Sequence, residues 1–246
     1  MKEQDESKEK VRFLFDGDAS AEKILEAIKA QLGKAGPSSL DARNKAFDEI
    51  VADRRSIRDF TGEVPPRATI ELILAAGLAA PFAAAAVGDA RDFRRFVVFP
   101  KDSRALESVI SLLREKGKAQ LDAIQGREPK DAPFVKRLEA LASGLIPGLG
   151  TAPYLIAVAE RKGMPSVEQL SIAYCLENMW LKATALGLGF HLVSALGMLA
   201  GEPRFWALCG LSAGVYDVNG CAIGVPASIP PAKPRPTLDE AVIWLG

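Results

Sequence analysis

The chain has 246 residues, of which 48% are apolar and 25% charged, and its 31 basic residues are matched by 31 acidic ones. That length and apolar content suit one sizeable core with extensions, and are short for two independent domains. A chain without net charge has no overall electrostatic pull on nucleic acid or an anionic membrane, so any anion site must be local.

No apolar run reaches the ~18 residues of a membrane span. The opening MKEQDESKEKVRF is charged and has no apolar signal-peptide core. Cys175, Cys209 and Cys221 are odd in number and fit no zinc spacing, which points to buried thiols in a reducing cytoplasm.

Residues 1–38 read as an N-terminal helical extension, in which Ser20 opens a short amphipathic helix with Ile24, Leu25, Ile28 and Leu32 on one face. GKAGPSS follows as a linker, and residues 39–246 read as the main domain. A second helix from Leu40 to Ala52 delivers the chain to RRSIRDF (54–60), and TIELILAAGLAA forms a third that Pro81 stops. FRRFVVF (93–99) predicts a strand, and helices follow at Arg104–Ala123 and Ala132–Ser143. The continuous apolar run PYLIAVAE (153–160) predicts a central strand. Residues 167–186 carry the longest helical pattern, apolar on most of its circumference, and predict a buried core helix. After Gly187 and Gly189, FHLVSAL (190–196) reads as a strand, EPRFWALCG as a short helix and GCAIGVP (220–226) as another strand. A proline-rich extended segment leads to Thr237, which caps a last short helix. Helices and strands interleave without a strict βαβ repeat, which predicts an α+β fold with a mixed sheet.

Most marks of enzyme chemistry are missing. His191, the only histidine, alternates with apolar residues and reads as a strand histidine held by hydrogen bonds rather than a general base. A single histidine excludes a histidine-rich metal site and weighs against a Ser-His-Asp triad. The glycines at 187 and 189 follow a helix and lack the third glycine of a dinucleotide fingerprint; GLIPGLG (144–150) lacks the Lys-Ser/Thr sequel of a phosphate loop. Both read as turns. If the chain is an enzyme, a bound cofactor carries the reaction.

Arg54, Arg55 and Arg58 have two readings. Cations are favoured at a helix C-terminus, and forked guanidinium donors also suit a phosphate. The order of residue types decides between them. RRSIRDF, followed by a Val-Pro turn and the helix TIELILAAGLAAP, resembles the FMN-binding opening of the nitroreductase family, Arg-Arg-Ser-x-Arg. ENMWLKATALGLGFHLVSALG is similar to the family's long core helix and the turn into its next strand. VNGCAIGVP with KPRPTLDEAVIWL resembles the C-terminal strand and the Lys-x-Arg segment that closes on the phosphate. The resemblance runs from about residue 45 to the C-terminus.

It implies a three-layer fold with a mixed, mostly antiparallel central sheet flanked by helices, in an intertwined homodimer with flavin at the interface. It implies FMN as cofactor, with Arg54, Arg55, Ser56, Arg58, Lys233 and Arg235 at the phosphate, ribityl chain and flavin edge. Pro81, Phe82 and Ala83 would line the ring on one side and Leu192, Val193 and Ser194 on the other. NAD(P)H would pass hydride to flavin N5 and be replaced by an electron-poor acceptor, a nitroaromatic or a quinone, so no protein group is expected to be catalytic. The stretch AAPFAAAA (79–86) departs from the family's Pro-Ser-x-x-Asn: Pro81 remains, while Phe82 and alanines replace the polar groups, and the usual Gln-Pro-Trp is absent. Phe82 is expected to lie against the flavin ring or block one of its faces, rather than to be a plain core side chain. That departure keeps open an alternative, a flavin-binding or flavin-free relative with a storage, sensing or assembly role and no turnover.

Overall fold

The structure, a computed structural model, describes residues 40–82, 91–124, 129, 132–146 and 148–245. The expected helix at 20–32, the boundary at residue 38 and Ala83 lie outside the described residues. Helices α1 (Leu40–Asp53) and α2 (Arg67–Leu78) precede strand β1 (Arg94–Pro100). Helices α3 (Arg104–Ile124) and α4 (Pro133–Ser143) lead to β2 (Tyr154–Arg161), and α5 (Glu168–Ala185) to β3 (Gly189–Leu192). A 3-10 turn at Ser194–Leu199, helix α6 (Pro203–Cys209), strand β4 (Tyr216–Gly224) and the one-turn helix α7 (Leu238–Ala241) complete the chain.

The four strands form one sheet in the order β1-β2-β4-β3, with every neighbour antiparallel. The parallel element that makes the sheet mixed is a single bridge between Ser56 and Phe190. Both faces are covered, which is why β2 is apolar from Leu155 to Ala159 rather than alternating. On one face Leu155, Ala157, Ala159, Val218 and Ala222 pack with residues of α3, α4, the 3-10 turn and α6. On the other Ile156, Val158, Cys221 and Ile223 pack with Ile70 and Ile73 of α2 and Ile172, Cys175 and Met179 of α5. The result is an α+β, three-layer sandwich. No helix among the described residues is long and apolar enough to cross a membrane.

Gly77 permits the tight crossing of α2 on α5, because a Cβ there would lie 2.7 Å from Met179 Cγ and 3.0 Å from Cys175 Sγ. Beside this crossing, the buried Arg94 of β1 pairs with Glu160 of β2, Nε donating to Oε2 at 2.7 Å. Its remaining nitrogens donate to the carbonyls of Gly77 (2.6 Å), Ala80 (3.2 Å), Pro81 (3.3 Å) and Ser171 (3.4 Å). One side chain thus satisfies the end of α2, where helix carbonyls have no partner of their own.

Three expectations change. The segment 190–196 is not one strand: β3 ends at Leu192, and Val193, Leu196 and Leu199 then bury at the three-residue spacing of a 3-10 turn. Strand β4 starts at Tyr216, four residues before the expected start at Gly220, with Tyr216 and Val218 buried between the polar Asp217 and Asn219. Helix α5 buries Ile172, Cys175, Met179 and Ala183, but Leu170 and Tyr174 on its outer side are exposed, so the single chain does not cover it all round.

Candidate functional site: a cationic cleft beside α5

Helix α1 ends in a turn closed by the Arg54 N–H on Ile50 O (3.1 Å), and the chain then extends along the sheet. The Ile57 N–H donates to Phe190 O at 3.0 Å, which stitches the segment to the edge strand β3. Further along, Thr61 N–H donates to Val225 O (2.9 Å) and Ala227 N–H to Asp59 O (3.0 Å), so the exit of β4 runs beside the same segment. In extended chain, alternate side chains face opposite ways, so Ile57 enters the core while its neighbours Ser56 and Arg58 stay outside it. Phe60, three residues on, is buried as well, so the strict alternation does not run past Arg58. Gly189 makes the approach possible: a Cβ there would sit 2.8 Å from Ile57 Cγ2 and 3.0 Å from the Phe60 ring.

This stitching brings together two segments far apart in the sequence. A cleft of about 580 Å³ is lined by Phe47, Val51, Arg54, Arg55, Ser56 and Arg58 on one side and by Pro230, Pro231, Lys233 and Arg235 on the other. Five cationic side chains face one carboxylate, Asp48. Arg58, Lys233 and Arg235 form no ion pair among the described residues. Arg55 donates through Nη1 to the carbonyls of Ala52 (2.5 Å) and Arg54 (3.0 Å), while its Nε is buried without a hydrogen-bond partner. Arg54 is held from α5: its guanidinium lies 4.3 Å from the Trp180 ring centroid, and its Nε is 3.6 Å from Glu177 Oε1. An open-sided cleft with so many forked donors suits an oxyanion of more than one charge.

Of the residues expected around a flavin ring, those described do not line this cleft. Pro81 and Phe82 lie beyond the end of α2, where the half-buried Phe82 stacks on Phe93 at 3.7 Å between centroids and 13° between planes. Val193 is in the core, with its N–H donated to Gly220 O (2.8 Å), and Leu192 and Ser194 beside it are exposed. His191 packs over the Gly148 backbone, away from the cleft lining. Cys175 and Cys221 are buried, and burial pushes the Cys175 thiol up to about 12, far from a thiolate at neutral pH. Among the described residues, no cluster of His, Cys, Asp and Glu could hold a metal ion.

Sequence reasoning missed Trp180, Glu177 and Arg94. Glu177 and Trp180 are three residues apart on α5, a spacing that places them side by side on a helix. That spacing was the available signal.

A helix-flanked antiparallel sheet, with an arginine segment laid on its edge and a returning tail beside a cationic cleft, defines the class: an α+β protein with a cation-lined cleft at its sheet edge. The chain belongs to the nitroreductase family, whose model matches residues 51–225. Among solved structures it is similar to a nitroreductase with bound FMN from Bacteroides fragilis, with 22% identity, TM-score 0.61, and coverage of 81% of this chain and 98% of that one. A nitroreductase with bound FMN from Desulfitobacterium hafniense is 20% identical at TM-score 0.58, covering 82% of this chain and 98% of that one. A BluB-like flavoprotein from Clostridium difficile is 18% identical at TM-score 0.64, covering 81% and 98%. No curated protein matches the chain.

Proposed function

We propose that the chain is an FMN-dependent oxidoreductase of nitroreductase type, working as a homodimer and passing reducing equivalents from NAD(P)H to a small electron-poor acceptor such as a nitroaromatic or quinone. The observation that carries this reading is the convergence of Arg54, Arg55, Ser56 and Arg58 with Lys233 and Arg235 around one cleft. Sequence positions almost 180 apart meet there, as they would on a shared dianion. The bound FMN of two similar structures supports that identity for the anion.

The donor set fits a flavin phosphate. Arg54, Arg58, Lys233 and Arg235 supply charge-assisted donors, Ser56 adds a hydroxyl, and the unpartnered buried Nε of Arg55 is a donor that needs an acceptor. FMN bound there would supply the hydride transfer, which agrees with a cleft that holds no histidine and a single carboxylate. The chain's own part is to neutralise the phosphate and fix the flavin edge. Pro81, Phe82 and Ala83, with Leu192, Val193 and Ser194, belong to the proposed ring wall. None of those described lines the single-chain cleft, which is the arrangement expected if a second copy completes the wall.

A specific observation favours a second reading, a flavin binder without turnover: Phe82, at the place of a polar family residue, already has one ring face covered by Phe93. Absorbance spectroscopy separates the readings. The purified protein is expected to be yellow, or to become so with added FMN, and to bleach anaerobically with NADH or NADPH and recover with a quinone. Yellow protein that no nicotinamide bleaches supports the binder. Protein that takes up no FMN overturns both.

A further inference from the structure

Trp180 sits on α5, outside the cleft lining, yet two of its contacts end on cleft arginines and a third on Phe190, which holds the same segment. Its Nε1–H donates to the carbonyl of Arg55 at 3.0 Å. The Arg54 guanidinium carbon lies 4.3 Å from its ring centroid, within cation–π range. The ring also stacks on Phe190, centroids 4.9 Å apart and planes 17° apart. Phe190 in turn pairs through its backbone with Ser56 and Ile57. Glu177, one turn earlier on the same helix, holds the Arg54 Nε at 3.6 Å, so a carboxylate and an aromatic face constrain one guanidinium together.

A free arginine loses much side-chain entropy when it binds a phosphate, and an arginine already fixed by packing loses less. An arginine laid on an aromatic face keeps its hydrogen-bonding edge free, because the stacking uses only the plane of the fork. We infer that Trp180 is a positioning residue for the cofactor phosphate: it presets the Arg54 guanidinium and thereby makes the site discriminate FMN from riboflavin. This inference rests on the phosphate reading of the cleft.

Full-length protein stripped of flavin, with Trp180→Phe and Trp180→Leu variants, would be titrated with FMN and with riboflavin. In the wild type FMN is expected to bind the tighter. Trp180→Phe keeps a weaker ring face for Arg54, so the preference should fall about two- to fivefold; Trp180→Leu should lower it about tenfold. In an Arg54→Ala background, Trp180→Phe should change the preference no further, since its effect passes through that guanidinium. A purely structural role would weaken both flavins by the same factor. An unchanged preference in Trp180→Phe therefore overturns the inference, whether or not Trp180→Leu folds, and so does a full effect that persists without Arg54. Equal binding of the two flavins by the wild type overturns the phosphate reading and the inference with it, and shows itself before any substitution is made.

Discussion

Arg94 is 3% exposed and has its charge matched by Glu160, whose carboxyl burial pushes up even beside the guanidinium. Removing one member of such a pair leaves a buried charge and several orphaned carbonyls, so Arg94→Ala is expected to cost about 3–5 kcal/mol, read as the midpoint shift in chemical denaturation. Arg94→Lys keeps the charge but not the fork, and should recover only part of that. Arg58 and Arg235 in the cleft obey the opposite rule, because they are exposed and have no acceptor among the described residues. Arg58→Ala and Arg235→Ala should each leave stability within about 0.5 kcal/mol while weakening FMN roughly ten- to a hundredfold, and riboflavin far less. The double variant should depart from additivity, since both side chains address one group. Unchanged FMN affinity in both single variants would return the cluster to a solvated helix end.

Among the elements, the cationic segment and the returning tail, which line one cleft, were legible because charged, forked residues stand out in a chain of balanced charge. The support beneath them was not. Trp180 in an apolar-looking helix reads as core, and only the fold shows that its ring carries Arg54. The end of β3 was misread for a related reason, since Val193, Leu196 and Leu199 are spaced for a 3-10 turn within a run whose composition suits a strand. Helix α6 offers a pH test at this scale. Glu202 caps it, accepting the Arg204 N–H at 3.3 Å, and its carboxylate also meets Arg204 Nε (2.8 Å) and Lys116 of α3 (3.0 Å). Those cations, Arg204 first and then Lys116, hold its carboxyl down at about 2, from an ordinary 4.5. A depressed carboxylate contributes its full stability above the unfolded value and loses it as pH falls through the folded one. Melting temperature should therefore decline between pH 4.5 and about 2 more steeply in the wild type than in Glu202→Gln. Parallel curves for the two proteins would remove Glu202 from the acid transition.

For the whole molecule, the open question is what covers the apolar surface that a single chain leaves bare. Every residue from Ala227 to Leu245 is exposed, and among them Ile229, Leu238, Ile243, Trp244 and Leu245 are large and apolar; Trp244 is 89% exposed. Phe47 of α1 and Leu170 and Tyr174 of α5 add to the bare surface from the folded body. The consecutive exposed Ile243, Trp244 and Leu245 are the kind of apolar surface that marks an interaction site, and proline-rich chain such as PASIPPAKPRP is stiff enough to reach outward with little entropy left to lose on docking. In the homodimer proposed above, a second copy of the chain would cover both the arm and the outer side of α5, and would bring ring-lining residues to the cleft. The protein is thus expected to sediment as a dimer whose interface buries ~2,000–5,000 Å². Replacing a large aromatic anchor at such an interface costs about 2 kcal/mol or more, roughly thirtyfold in dimer affinity. Trp244→Asp combined with Ile243→Asp should therefore populate monomer at micromolar concentration, and release FMN in parallel if the partner completes the flavin site. Sedimentation velocity with detection at the flavin absorbance reads both quantities at once. A folded, flavin-loaded wild-type monomer at micromolar concentration would overturn the dimer, and a doubly substituted protein that stays dimeric would move the interface away from the arm.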